Sequence, residues 1–199
     1  VAAARHAGWA PVHLLAAAGS GLDGEQVEQA VLDSVSGLAS GSRTIGVYEA
    51  RWSTPAGPLC VYLHSVADPG NVGTILRSAL AFGAASVVLG PGCADPFGRK
   101  AVRASMGAIF AVPVARAPGV DDLPGERVAL VAGAGPALAG PAGAETTLVV
   151  GAERDGLAPD VVAACDRVAR IPIATESLNA AMAATVALYE LTRGGVSGW

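Results

Sequence analysis

"DPGNVGTILRSALAFGA" occupies residues 68–84, and the fold follows from how it is read. Val72, Ile75, Leu76, Ala79 and Leu80 recur at i, i+3, i+4, i+7 and i+8, which predicts an amphipathic helix over 71–82 with one apolar stripe. Gly83 is suited to end it as a C′ residue. "LCVYLHSV" (59–66) before it and "ASVVLG" (85–90) after it read as short buried strands. Pro69 and Gly70 form the turn out of the first strand, so Asn71 arrives at the helix mouth beyond a strand's carboxyl end, where open α/β sheets bind ligands. Thr74, Arg77 and Ser78 fall off the stripe. Taken alone, the stretch is explained equally well by Asn71 as a helix cap with Arg77 solvated, or by a ligand site.

The alternation continues on both sides. Downstream, a helix is possible at "FGRKAVRASMGA" (97–108), followed by strands at "AVPVAR" (111–116), "RVALVAG" (127–133) and "TLVVG" (147–151). A helix at "PDVVAACDRV" (159–168), a strand at "ARIPI" (169–173) and a final helix from about Ser177 to Arg193 complete the series. This pattern predicts an α/β fold with a mostly parallel sheet and helices on both faces. The Ala/Gly/Pro stretch 132–144 reads as loops. Upstream, residues 1–50 read as a small αβ unit, with a strand at "VHLLAAAG" (12–19), a helix through Val27, Ala30, Val31, Val35 and Leu38, and a strand at "RTIGVYEA" (43–50). Residues 51–57 read as a linker, leaving 58–199 as the main domain.

Composition narrows the class. Hydrophobic residues make up 52% of the 199 and mean hydropathy is +0.47. Pro, Gly, Arg or Asp nonetheless interrupts each apolar run well before membrane-spanning length, so no transmembrane helix is expected. Gly8, Trp9, Pro11 and His13 break any signal-peptide core, and without an initiator Met the chain is expected to begin inside a longer sequence. Cys60, Cys93 and Cys165 lack C-x-x-C or Cys/His spacing, which argues against a disulfide framework or structural zinc and fits a reducing cytoplasm. A formal charge of −4 predicts no general attraction to nucleic acid, so RNA contacts would rest on local basic clusters. Arg99, Lys100 and Arg103 are the best such cluster, with a solvated helix face as the alternative. His64 reads as a structural strand residue, His6 and His13 have no partner pattern, and Trp9, Trp52 and Trp199 could stack bases, although scattered tryptophans are more often packing residues.

Two more stretches carry polar residues just after strands. "VVGAERDGLAPDVV" holds a G-x-E-x-x-G turn in which Gly151 and Gly156 permit a sharp bend around Glu153, with Pro159 at a helix start. "RIPIATESLNAAMAATVALYEL" leaves a strand through Ile-Pro-Ile and enters an alanine-rich helix through Ser-Leu-Asn, with Thr175 or Ser177 as a possible N-cap. "GAGPAL" fails the Rossmann fingerprint because Leu138 occupies the third glycine position, which disfavours a nucleotide-dependent oxidoreductase.

N-x-G-x-x-x-R (Asn71, Gly73, Arg77), G-x-E-x-x-G (Gly151, Glu153, Gly156) and I-P-I with S-L-N (Ile171 to Ile173, Ser177 to Asn179) occur in that order. Together they resemble the SpoU-type RNA ribose 2′-O-methyltransferases of the SPOUT class, over about residues 58–193. Residues 1–50 resemble the later half of the small RNA substrate-binding domain often found ahead of that catalytic domain. The resemblance implies a C-terminal deep trefoil knot, a homodimer formed through the knotted domain, and S-adenosylmethionine held in three loops. On this chain those loops would use Ala132 and Gly133, Gly151, and Ile171, Ile173 and Leu178. It further implies Arg77 as the central catalytic residue, Asn71 and Asn179 orienting it and the ribose, Ser177 as a hydrogen-bond partner and Glu153 fixing the second loop. Because guanidinium stays protonated in proteins, Arg77 is expected to bind phosphate and stabilise the incipient alkoxide rather than act as a base. No metal is expected. The expected function is cytoplasmic 2′-O-methylation of RNA, with 23S rRNA favoured over tRNA. An antibiotic-resistance methyltransferase and a catalytically inactive knotted RNA-binding module are the alternatives.

Overall fold

A computed structural model describes residues 1–37 and 41–194, so Leu38 and Trp199 lie outside the described residues. The chain divides into two compact units, Val1–Arg51 and a larger one from Trp52 onward.

The first unit contains α1 (Ala2–His6), β1 (His13–Ala17), β2 (Glu25–Val27), α2 (Gln29–Ser36) and β3 (Thr44–Val47). Its sheet has the order β2-β1-β3, parallel between β1 and β2 and antiparallel between β1 and β3. Ala4, Ala16 and Leu32 are fully buried at its centre. Val27, expected in the helix, instead ends a strand, because Glu25 to Val27 pair in register with Leu15 to Ala17. The helix therefore starts only at Gln29.

The second unit begins with β4 (Leu59–Leu63), α3 (Pro69–Ala81), β5 (Ser86–Leu89) and α4 (Arg99–Ala104). A 3-10 turn at Ala108–Phe110 leads into β6 (Val114–Arg116), β7 (Glu126–Leu130) and β8 (Thr146–Val150). It closes with α5 (Pro159–Ala163), β9 (Arg167–Ala169) and α6 (Ala180–Thr192). Six strands in the order β6-β5-β4-β8-β7-β9 form one sheet, and every pairing is parallel. The order runs outward from β4 to β6, and the chain then crosses to the other side of β4, where β7 forms first and β8 inserts between β7 and β4. The switch point therefore falls between β4 and β8, and its crevice opens at their carboxyl ends.

Alternate side chains of β4 serve opposite faces, as the two-residue strand period requires. Leu59, Val61 and Leu63 pack with Val72, Ile75, Leu76 and Ala79 of α3 and with Ala184, Ala187 and Leu188 of α6. Each such fully buried aliphatic side chain contributes roughly 1.5–3 kcal/mol. Cys60 and Tyr62 face the other way, toward Ala117, Val120, Leu123 and Val161.

Local chemistry moves several expected boundaries. α3 begins at Pro69 because Asp68 caps it, its Oδ1 accepting from the backbone N–H of Gly70 at 2.6 Å and of Asn71 at 3.0 Å. Asn71 is therefore a first-turn residue and not the cap. Leu80, counted in the stripe, is 48% exposed. β4 stops at Leu63, which leaves His64 in the bend after it, its backbone N–H donating to Val150 O at 2.9 Å. The expected helix 97–108 breaks after Ala104, where Met106 and Gly107 adopt φ of 50° and 95°. α5 ends at Ala163 and β9 takes Arg167–Ala169, since these pair with Val128 to Leu130; Ile171 to Ile173 have already left the sheet. Residues 51–57 are not suspended between the units, for Ser53 N–H donates to Val114 O at 2.8 Å and Ser86 Oγ donates to Ala56 O at 2.7 Å. Among the described residues no helix is long and apolar enough to cross a membrane.

Candidate active site

Three polar turns meet at the crevice through a directional hydrogen-bond relay. Asn179 is the N-cap of α6, not Thr175 or Ser177, and its Oδ1 accepts from Ala181 N–H at 2.9 Å and Met182 N–H at 3.3 Å. That fixes the amide, turning Nδ2 outward to donate to Asn71 Oδ1 at 3.0 Å. With its oxygen engaged, Asn71 presents Nδ2 to the Glu153 carboxylate, to which it donates. Each amide therefore has a determined orientation, and the carboxylate is the terminal acceptor. The relay joins residues 82 and 108 positions apart along the chain.

Beside the relay lies a cleft at the carboxyl ends of β7 and β8, enclosing about 640 Å³ of non-protein space, solvent at its mouth included. Ala132, Gly151, Glu153, Ile171, Ile173, Ser177 and Leu178 all line it. Gly133 and Arg77 are not among the lining residues, and Arg154, Ala180 and Ala183, which sequence reasoning did not assign, are. The wall after β8 is backbone on backbone: a Cβ at Gly151 would overlap the Gly156 carbonyl, and Ala152 and Gly156 exchange both backbone bonds at 3.1 Å. Gly156 turns with φ of 65°. Small residues and main chain thus form the walls, and Glu153 and Arg154 bring opposite charges to the rim.

Arg77 sits on the exposed strip of α3 with Thr74 and Ala81. One flank of that strip is closed by α4, since a Cβ at Gly73 would overlap Ala101 O and Ala104 Cβ. The other is closed by α6, where Thr185 Oγ1 donates to Ala181 O at 2.7 Å and Ser78 Oγ lies 2.6 Å from Thr185 Oγ1. Arg77 therefore emerges between α4 and α6.

Of the expected basic cluster, Arg99, Lys100 and Arg103 are exposed on α4. Lys100 Nζ donates to Asp68 Oδ2 at 2.8 Å. That bond, followed by the backbone donors of Asn71 and Gly70, holds the Asp68 carboxyl below its ordinary range. Asp68 was missed as a site residue although Asp-Pro-Gly is a readable start signal, an N-cap acid followed by proline at N1. Arg154 carried no signal beyond its place inside the G-x-E-x-x-G turn.

Burial pushes the thiols of Cys60, Cys93 and Cys165 up, and the Tyr62 phenol up to about 12. All four are neutral at physiological pH. Among the described residues no group of three or more His, Cys, Asp and Glu is arranged to hold a metal ion.

Comparison with known proteins agrees with this geometry. Residues 58–189 match the SpoU rRNA Methylase family. An uncharacterized tRNA/rRNA methyltransferase of Mycobacterium tuberculosis is 36% identical over 179 residues, covering 81% of this chain and 56% of its own length. The 23S rRNA (uridine(2479)-2'-O)-methyltransferase of Streptomyces viridochromogenes is 37% identical over 150 residues, covering 66% of this chain and 51% of its own length. The chain thus spans about half the length of the curated relatives it matches. The AdoMet-bound rRNA methyltransferase of Sinorhizobium meliloti superposes with a TM-score of 0.86 at 30% identity, over 98% of this chain and 84% of that one. With the family matched across the whole sheet and all three site turns, the chain belongs to the SpoU rRNA methylase family.

Proposed function

We propose that this chain is an S-adenosylmethionine-dependent RNA methyltransferase acting on a ribose 2′-hydroxyl, with 23S rRNA as the favoured substrate and the cytoplasm as its location. The observation that carries this reading is the relay from Asn179 through Asn71 to Glu153, which ties three separate turns to one cleft. The residues present fit the donor: a main-chain cradle at Gly151, apolar contacts from Ile171, Ile173 and Leu178, and small side chains at Ala132 and Ala183. The donor supplies an electrophilic methyl group on a sulfonium. The chain's own task is to align the ribose and to stabilise charge developing on its oxygen. Asn71 holds the Glu153 turn in place, and Ser177, which lines the cleft, is assigned as a hydrogen-bond partner.

Arg77 provides the cation in this reading, and it serves a site completed by a second copy. Leu80, Met182, Val186 and Tyr189 are 43–59% exposed and surround the α3 strip that carries it. Met182, Val186 and Tyr189 share one face of α6 at i, i+4 and i+7. An apolar rim around a guanidinium suits a homodimer in which Arg77 faces the partner's cleft. The knot belongs to the same reading. The connection between β7 and β8 touches both ends of the final segment, Leu138 N–H donating to Arg170 O and Ala142 N–H to Leu191 O, each at 2.8 Å. These two contacts support the reading in which that loop encloses α6.

The test is tritiated methyl transfer to unmodified ribosomal and transfer RNA, with calorimetry of S-adenosylmethionine binding alongside. Wild-type chain should bind the donor and label a ribose. Arg77→Ala should bind it equally and transfer at least a hundredfold more slowly. No binding of the donor would favour the inactive RNA-binding module instead.

A further inference from the structure

A second groove opens on the same rim of the sheet. It has a volume of about 460 Å³, open solvent included, and is lined by Leu89, Gly90, Cys93, Asp95, Pro96 and Arg116 among others. Leu89 and Arg116 are the paired last residues of β5 and β6. Since all six strands are parallel, this groove and the cleft at β8 share the carboxyl edge. β5 and β6 stand two and three strand positions from β8, or about 10 and 14 Å at the usual spacing.

Arg116 on its wall belongs to an ordered stack. The Arg116 guanidinium carbon lies 4.1 Å from the centre of the Trp52 ring, and Phe97 meets Trp52 edge-on at 5.0 Å and 89°. Ser53 holds the tryptophan there through its backbone bond to Val114 on the edge strand. Trp52 is still 41% exposed, and Arg116 is exposed as well. Phe97 lies two residues before Arg99, so the stack runs into the basic helix α4. The opposite wall carries Asp95, whose carboxylate accepts from Phe97 N–H at 3.0 Å. Gly90 sits against Tyr62 Oη, a buried hydroxyl with no partner among the described residues. A guanidinium held over the face of an indole joins positive charge to aromatic surface, the combination on which single-stranded bases stack.

We propose that this groove is a second nucleotide subsite, in which the Arg116–Trp52 stack receives a base of the RNA strand and neutralises its adjoining phosphate, a few nucleotides from the methylated ribose. The inference rests on the RNA methyltransferase reading and adds to it a place where flanking sequence is gripped.

Fluorescence anisotropy with labelled hexauridylate and hexaadenylate tests it directly. Trp52→Ala and Arg116→Ala should each weaken binding about tenfold or more, within the range that one base stack on an aromatic supplies. Arg116→Gln keeps the contact with the indole while removing the charge. It should lower the slope of log affinity against log salt by about 0.7, the loss of one phosphate contact on a single strand. S-adenosylmethionine affinity and melting temperature should stay at wild-type values, and with methylatable RNA the variants should raise KM and spare kcat. Oligonucleotide binding and salt slope equal to wild type in all three variants would overturn the subsite, leaving the stack as a clip for the chain at Ser53. Wild-type chain that binds the oligonucleotides through this stack but does not bind the methyl donor would instead overturn the methyltransferase reading and leave the subsite standing.

Discussion

Asn179 has two duties that different substitutions separate. Alanine removes the cap of α6, whose two N–H groups at 2.9 and 3.3 Å lose their acceptor, and also the 3.0 Å bond to Asn71. An N-cap contributes about 1 kcal/mol, and a hydrogen bond of this kind about 1 kcal/mol more. In a unit of this size each kcal/mol shifts the melting temperature by about 2–4 °C, so Asn179→Ala should melt about 4–8 °C lower. Asn179→Asp keeps both cap bonds, and its charge favours a helix N-terminus by about 0.3–1 kcal/mol, so it should melt within about 2 °C of wild type. The relay, however, fails. Asn71 would then stand between two carboxylates, and whichever way its amide turns, its carbonyl oxygen faces one of them. Thermal unfolding by circular dichroism should therefore rank Asn179→Asp with wild type, while methyl transfer should rank it with Asn179→Ala, at least tenfold down. A stable Asn179→Asp that transfers at the wild-type rate would refute the relay as a site device. An Asn179→Ala that melts with wild type would refute the cap.

Other substitutions test other links. Gly140→Ala places a Cβ in the backbone of Glu190 and Leu191, so it should lower the melting temperature by several degrees or prevent soluble expression; wild-type melting would show that loop and helix are not in close contact. Asp166 is held well below the ordinary carboxylate range, first by the Arg127 side chain and then by its backbone N–H. A lowered folded value means stability that is full above the unfolded value, about 3.9, and is lost as pH falls through the folded one. Asp166→Asn should therefore melt below wild type at pH 7, with the gap closing under strong acid; a gap independent of pH would remove that explanation. Asp68→Ala should cost about 1 kcal/mol through the lost cap of α3 while Asp68→Asn costs less, as thermal melts would read. Tyr189→Asp and Met182→Lys should convert a dimer to monomer in sedimentation velocity and reduce transfer without affecting the monomer's melting.

The sheet was legible because its signals are local. Hydrophobic period and glycine or proline punctuation locate β4, α3, β5, β8 and α6, and three short motifs mark the turns that the relay joins. What was not legible depended on partners distant in sequence. β2 exists because Glu25 to Val27 find Leu15 to Ala17, and β9 because Arg167 to Ala169 find Val128 to Leu130. In both places isolated periodicity favoured helix, and strand pairing overrode it. Asn179 was marked by its motif, but its choice over Thr175 or Ser177 as the cap depended on where the chain turns after Ile173. The second groove was invisible for the same reason. Trp52 was one of three scattered tryptophans until the fold brought Arg116, 64 residues later, onto its face.

The RNA substrate proposed for this acidic chain poses an electrostatic problem, and the two ends of the sheet answer it differently. At the amino ends of β7 and β9 the cations are neutralised, Arg127 by Asp166 at 2.8 Å and Arg167 by Glu126 at 3.1 Å. These bidentate pairs hold strand ends together and offer little field to a polyanion. At the carboxyl rim, Arg154 lines the cleft and Arg116 the second groove. Arg77 and Arg103 are exposed on α3 and α4, and no carboxylate pairs with any of these four among the described residues. Net charge is a sum, whereas a phosphate within a Debye length of about 8 Å responds to the local charge near it. A formal charge of −4 is thus compatible with local phosphate contacts where Arg116 and Arg154 stand free of ion pairs at the carboxyl rim. On the proposed function, phosphate contacts at that rim should weaken as salt is added.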